Sequence, residues 1–290
     1  MDNTVDLLKK VRQIEIKTKS LSNNIFAGEY HSAYKGRGMS FSEVREYQPG
    51  DDIRDIDWNV TARFNHPYTK VYEEERELTV MLIVDVSKSL QFGTRECFKR
   101  DLVTEIAATL AFSAIQNNDK IGVILFSDKV EKYIPVKKGR KHILYIIREL
   151  LNFEATGKGT DIDKSLQFLL NTQNKHCTAF LISDFIDGKD YTKSLTIASK
   201  KHDLAAIQVY DEFMTELPNV GLLRVQDSET GHEQYLDTSS KRVRRIHHQN
   251  WLNNQEKLQD RMLHSKVDIV SVRTDENYVT ALINLFAKRL

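Results

Sequence analysis

Five short, nearly continuous apolar runs constrain this chain most. They span 78–84 (LTVMLIV), 121–126 (IGVILF), 179–183 (AFLIS), 204–209 (LAAIQV) and 267–272 (VDIVSV). Each is short for a helix and lacks the in–out alternation of a half-exposed strand. Each therefore reads as a strand buried on both faces, the pattern of a parallel sheet. Helical stretches separate them, at about 94–117, 139–151, 161–174, 190–202, 239–264 and 276–289. In the first, Phe98, Leu102, Ile106, Thr109 and Phe112 form a stripe at helical spacing that would cover the sheet.

Strands alternating with helices give a layered α/β domain, Rossmann-like, with a mostly parallel sheet and helices on both faces. One connection breaks the alternation. Only Ser127-Asp128 separates the run at 121–126 from a second strand at 129–136. Two residues cannot make a parallel crossover, so that strand runs antiparallel at one edge. A second hairpin is expected between 222–226 and 233–236.

The first 77 residues differ in texture. Val5, Leu8, Val11 and Ile14 suggest an amphipathic helix over 4–22, followed by a glycine-containing loop over 23–40. Residues 41–77 are dense in charge, with a turn at Gln48-Pro49-Gly50 and a strand on a sheet edge somewhere in 68–77. The acidic run 50–58 lacks the spacing of an EF-hand, and nearby Arg45, Arg54 and Arg63 favour ion pairs over a second metal site. Trp58 is a candidate anchor for docking this block. The expected division is 1–77, a charged β-containing extension, and 78–290, the α/β domain.

Composition excludes several classes. With 290 residues, 40% apolar and 29% charged, the chain has the profile of a globular protein of one large domain, or one plus an appendage. A net charge of +1 gives no reason to expect nucleic-acid binding. Cys97 and Cys177 are too far apart in sequence for a CxxC pair and too few for a disulfide framework, which suits a reducing compartment. The N-terminus does not read as a signal peptide, and no apolar run reaches membrane-spanning length. The expectation is a cytoplasmic chain with no membrane anchor.

Ligands of open α/β sheets bind beyond the carboxyl ends of the strands. There the first run ends in Asp85-Val86-Ser87-Lys88-Ser89, the third in Asp184, and Thr160 precedes a helix in between. In an extended loop, Asp85, Ser87 and Ser89 turn three oxygens to one side. Two carboxylates and three hydroxyls, without Cys or His, suit a hard cation such as Mg²⁺ or Mn²⁺. Each residue also has an ordinary structural reading: Ser87, Ser89 or Thr160 as a helix cap, Asp184 as a strand-end turn.

Taken together, these positions resemble the metal-ion-dependent adhesion site of von Willebrand factor A (vWA) domains, with Asp85, Ser87 and Ser89 in the first loop, Thr160 in the second and Asp184 in the third. The antiparallel edge strand also fits that fold. Upstream, Gly38, Phe41-Ser42-Glu43-Val44-Arg45-Glu46-Tyr47, Pro49-Gly50-Asp51-Asp52-Ile53-Arg54, Ile56-Asp57-Trp58 and Thr61-Ala62-Arg63 resemble a bacterial vWA-related family of unknown function associated with MoxR-type AAA+ ATPases. The resemblance implies a non-enzymatic adaptor. It would bind an acidic residue of a protein partner, a MoxR-type AAA+ ATPase or its client, through the metal. Two alternatives stand beside it: a metal-dependent hydrolase acting on phosphoesters, and a metal-free scaffold. Against the hydrolase, the three loops hold no His to act as general base, and Ser87 stands where a haloacid-dehalogenase DxD motif needs its second Asp.

Other motifs carry less. Gly36-x-Gly38 lacks the rest of a dinucleotide fingerprint, and 156–160 lacks the order of a phosphate loop. The basic cluster 241–248 falls at the unfavourable end of its expected helix; it hints at an acidic partner, though a solvated face is the simpler reading.

Overall fold

The computed structural model describes residues 40–64, 66–73, 78–93, 98–157, 159–226 and 233–289. The helix expected over 4–22, most of the loop after it, and Cys97 lie outside them. Two compact units emerge, one ending at Leu78 and the other taking the chain from Thr79 onward.

In the first unit, strand β1 (Ser40–Glu46), helix α1 (Trp58–Phe64) and strand β2 (Tyr68–Glu73) follow in order, with β1 and β2 paired antiparallel. Periodicity missed β1 for a physical reason. The register shifts between Phe41 and Glu43, a bulge that breaks the two-residue alternation by which strands are recognised. The turn at 48–51 is present, with Asp51 N donating to Gln48 O at 3.0 Å and Gly50 at φ +116°. Arg45 grips Asp51 with two nitrogens, at 2.8 and 2.7 Å, the kind of ion pair expected of the acidic run. Asp57 caps α1 by accepting from Asn59 N and Val60 N, and Trp58 at its start is largely exposed.

The second unit contains β3 (Thr79–Asp85), α2 (Lys99–Gln116), β4 (Lys120–Phe126), β5 (Val130–Lys137), α3 (Arg140–Asn152), α4 (Ile162–Thr172), β6 (Thr178–Ser183), α5 (Thr192–Lys201), β7 (Asp203–Tyr210), the short α6 (Glu212–Thr215), the hairpin β8–β9 (Leu222–Gln226 and Glu233–Asp237), α7 (Lys241–His264), β10 (Asp268–Arg273) and α8 (Tyr278–Ala287). Six strands form one sheet in the order β10-β7-β6-β3-β4-β5. All neighbours are parallel except β5, which runs antiparallel to β4 at the edge. This is the vWA-like fold that the resemblance implied. The chain leaves β3 towards β4, reverses at β5, and returns past β3 to β6, so the switch point of the topology lies at β3.

Side chains alternate across the sheet. Met81, Ile83, Ile124, Phe126, Ala179 and Leu181 join Ile162, Leu166 and Leu169 of α4, Leu195 and Ala198 of α5, and Leu258 and Met262 of α7 in one core. On the other face Phe180 meets Phe286 of α8 edge-on, with centroids 6.1 Å apart.

Helix α2 departs from the single-stripe expectation. Phe98 is the N-cap residue and is 54% exposed, while α2 is buried on almost every side from Leu102 to Ser113. It packs against α3 as well as the sheet, and Thr109 meets the Tyr278 hydroxyl at 3.2 Å. An alanine-rich helix with neighbours on several sides needs no polar face.

Candidate functional site

Three loops gather at the carboxyl ends of β3, β4 and β6, two of them following β3 and β6 and one joining α3 to α4, and hydrogen bonds tie them into a ring. Asp85 ends β3 opposite Phe126, and Val86 N donates to Phe126 O at 2.8 Å. Just beyond, Ser127 O accepts from Asp161 N at 2.8 Å, which places the second loop beside the end of β4. That loop meets the third where Asp187 Oδ2 accepts from Ile162 N at 2.9 Å and Lys189 pairs with Asp161. The third returns to the first where Ser183 Oγ donates to Asp85 Oδ2. All five expected ligands thus belong to loops gathered at one end of the sheet, and all five are buried.

The first loop reaches its geometry by an unexpected route. Ser87 is extended, at φ −60° and ψ 163°, but a 3-10 turn follows at Lys88–Gln91. Ser89 is therefore folded back rather than extended, and its Oγ lies 2.9 Å from Ser87 Oγ. Ser87 N donates to Asp85 Oδ1 at 2.8 Å, so one carboxylate and two hydroxyls form a single cluster.

The ordinary structural readings are resolved residue by residue. Ser87 precedes the 3-10 turn but its side chain makes no cap bond there. Helix α2 begins after Phe98, not after a serine. The cap of α4 is Asp161, whose Oδ1 accepts from Lys164 N at 3.0 Å, rather than Thr160. Asp184 does make a strand-end turn, with Ile186 N at 3.2 Å from Oδ1, but its other oxygen is engaged elsewhere.

That engagement is with Lys99, which sequence reasoning missed. Its Nζ lies 2.8 Å from Asp184 Oδ2 and 3.6 Å from Met214 Sδ, and the lysine is 2% exposed. The available signal was a lysine in the first turn of a helix whose later turns are mostly apolar, a place where the helix dipole disfavours a cation.

Electrostatics leave the pocket short of positive charge. Two buried carboxylates face one buried ammonium. Burial, reinforced by the charge of Asp184, pushes the Asp85 carboxyl up to about 7, against opposing hydrogen bonds from Ser183 and Ser87. By donor chemistry these residues are of the kind that could hold a divalent cation: Asp85 and Asp184 would supply charge, and the hydroxyls of Ser87, Ser89 and Thr160 neutral hard oxygens. Among the described residues no group of three or more His, Cys, Asp or Glu side chains is placed to hold a metal ion.

Glu131 is a second residue that sequence reasoning missed. It accepts from Ser127 Oγ at 2.7 Å, Thr156 N at 3.0 Å, Thr156 Oγ1 at 2.9 Å and Gly157 N at 2.7 Å. These bonds fix the loop that carries Thr160. A Cβ on Gly157 would lie 2.1 Å from Asp128 Oδ1 and 2.2 Å from Ser127 Oγ, so any larger residue would force these side chains to shift.

The basic cluster at the start of α7 is partly occupied within the chain. Arg244 donates to Thr238 O and Ser239 O, while His247 and His248 bond the carbonyls of Phe213 and Thr215. Among the described residues no helix is long and apolar enough to cross a membrane.

Known proteins resemble this chain at two levels. An uncharacterized protein of Mycobacterium tuberculosis is 32% identical over 227 residues, 78% of this chain and 72% of the relative. The uncharacterized protein YeaD of Bacillus subtilis is 28% identical over 109 residues, 38% of this chain and 25% of the relative. Among solved structures, the conserved hypothetical protein BatB from Bacteroides thetaiotaomicron superposes with a TM-score of 0.50 at 15% identity, covering 73% of this chain and 98% of that one. That likeness concerns the fold alone. Residues 43–257 match the family model described as protein of unknown function DUF58. This chain, with its vWA-like sheet and its ring of three loops, belongs to the DUF58 family.

Proposed function

We propose that the protein is a non-enzymatic interaction module that binds an acidic side chain of a protein partner through a divalent cation, Mg²⁺ or Mn²⁺. Asp85, Ser87, Ser89, Thr160 and Asp184 would hold the ion. The bound ion would supply a Lewis-acidic centre with room for one more carboxylate oxygen. A single observation carries this reading: three loops are tied around two buried carboxylates whose charge one lysine only half offsets.

A protein ligand is favoured by the surroundings. Phe92, Phe98 and Ile186 are large apolar residues, 43%, 54% and 51% exposed, on the first and third loops. Backbone bonds keep them close to the pocket. Lys99 N, next to Phe98, donates to Phe92 O at 3.0 Å, and Ile186 N donates to Asp184. Such a collar suits a peptide surface better than a small soluble anion. The family resemblance makes a MoxR-type AAA+ ATPase, or its client, the first partner to try, in the cytoplasm.

Titration of Mg²⁺ and Mn²⁺ into chelator-treated protein tests the reading. Binding heat that disappears in Asp85→Ala is expected, together with capture of the ATPase that EDTA abolishes. No heat with either ion would refute it. The Lys99–Asp184 ion pair favours the metal-free scaffold as the second reading, since the ammonium already satisfies one carboxylate oxygen.

A further inference from the structure

We infer that Lys99 is a resident cation that sets the sign of the site, making it a receptor for carboxylates only after a divalent ion has entered. The inference rests on the metal-site reading and adds the residue that decides its specificity.

Lys99 is expensive where it stands. A buried ammonium has lost its water and needs compensation. Here it receives one carboxylate oxygen, at 2.8 Å, and a thioether sulfur, a weak acceptor, at 3.6 Å. It also sits in the first turn of α2, where the helix dipole opposes a positive charge. Nothing about helix stability calls for a lysine at this point. Its position is nevertheless fixed from two directions. Its backbone nitrogen is held by Phe92 O at 3.0 Å, and its side chain is held by the third loop. The same residue therefore ties the first and third loops together.

The consequence follows from charge. Without Lys99, the two carboxylates and a divalent ion would be neutral together, and a visiting carboxylate would meet no net attraction. With both carboxylates ionised, Asp85, Asp184 and Lys99 together carry one negative charge and repel anions. The loaded pocket carries one positive charge and attracts them. The ammonium lowers affinity for the ion and raises affinity for the acidic ligand, an exchange expected to be large at short range in a buried site. Binding of ion and carboxylate then becomes mutually reinforcing, because each changes the affinity for the other by the same factor.

The test uses Mn²⁺ as the ion and acetate as the carboxylate, on the full chain. Free Mn²⁺ is followed by electron paramagnetic resonance, and acetate coordination by loss of metal-bound water in proton relaxation. Lys99→Gln and Lys99→Met remove the charge at similar length; thermal melts confirm that each folds. Both variants are expected to bind Mn²⁺ about tenfold more tightly and acetate about tenfold more weakly than the wild type. In the unmodified protein, saturating acetate is expected to tighten Mn²⁺ binding roughly threefold or more. That measurement stands even if neither variant folds. Unchanged or weaker Mn²⁺ binding in folded variants overturns the role of Lys99, as does absence of acetate coupling in the wild type. No Mn²⁺ binding by the wild type overturns the metal-site reading itself, a result separable from the others.

Discussion

Ser183 Oγ donates to Asp85 Oδ2 at 2.6 Å, joining the ends of two neighbouring strands that are 98 residues apart in sequence. The same oxygen accepts from Phe185 N at 3.0 Å, so one hydroxyl orients both the first-loop carboxylate and the third-loop backbone. Ser183→Ala leaves a buried carboxylate and a half-buried N–H each short of a partner. The expected loss of stability is about 1–3 kcal/mol, read from urea midpoints. Mn²⁺ affinity is expected to fall as well, because Asp85 loses its orientation.

Glu131 is expected to govern the second loop. In Glu131→Gln, an amide NH₂ faces a cluster of N–H and O–H donors where a carboxylate oxygen stood. A loss of about 1–3 kcal/mol is expected, with weaker Mn²⁺ binding through displacement of Thr160. Gly157→Ala tests the same loop by steric means and is expected to weaken Mn²⁺ binding in the same direction. Titration calorimetry on both variants checks this; unchanged affinity in both would remove Thr160 from the ligand set. Burial acts to raise the Glu131 pKa, but bonds from Ser127, Gly157 and Thr156 outweigh it and hold the carboxyl below the ordinary glutamate range. Its contribution is therefore present above the ordinary glutamate pKa and is lost as pH falls through the depressed folded value.

His202 gives a pH dependence of its own. Burial, with the charges of Lys201 and His176, pushes its imidazole down to about 4, and it lies 3.4 Å from Cys177 Sγ. The folded protein keeps it neutral, while the unfolded chain takes a proton near pH 6.5. Stability from this residue is therefore full above about pH 6.5 and declines as pH falls towards 4. Asp85 acts with the opposite sign, since its raised pKa makes the folded state hold a proton that the unfolded chain releases. The useful measurement is the difference between wild type and His202→Gln in urea melts at pH 7.5 and 5. The variant is expected to lose less stability on acidification.

Phe180 tests the core on the other face of the sheet. It is fully buried in β6 and meets Phe286 of α8. Phe180→Ala is expected to cost about 3–5 kcal/mol, measured by chemical denaturation.

The strands of the main sheet were legible because their signal is local. A run such as LTVMLIV is apolar on both faces whatever its neighbours, and its observed bounds, Thr79–Asp85, differ from the expected ones by a single residue at each end. The spacing Asp85-x-Ser87-x-Ser89 was legible for the same reason, although the turn that folds Ser89 back was not. Lys99, Ser183 and Glu131 escaped notice because their roles depend on partners 85, 98 and 25 residues away. Periodicity carries no record of such pairings. Strand β1 escaped because its bulge shifts the phase of the pattern being sought.

The central place of β3 has a consequence for any attempt to trim the molecule. Its two flanking strands come from well-separated stretches of the chain, β4 soon after it and β6 almost a hundred positions on. A fragment ending after β5 would keep Asp85 and both serines yet lack Thr160, Asp184 and the ring that encloses them. Ion binding should therefore report on completion of the whole sheet, appearing in a single step with tertiary structure rather than surviving in a piece that lacks part of the sheet.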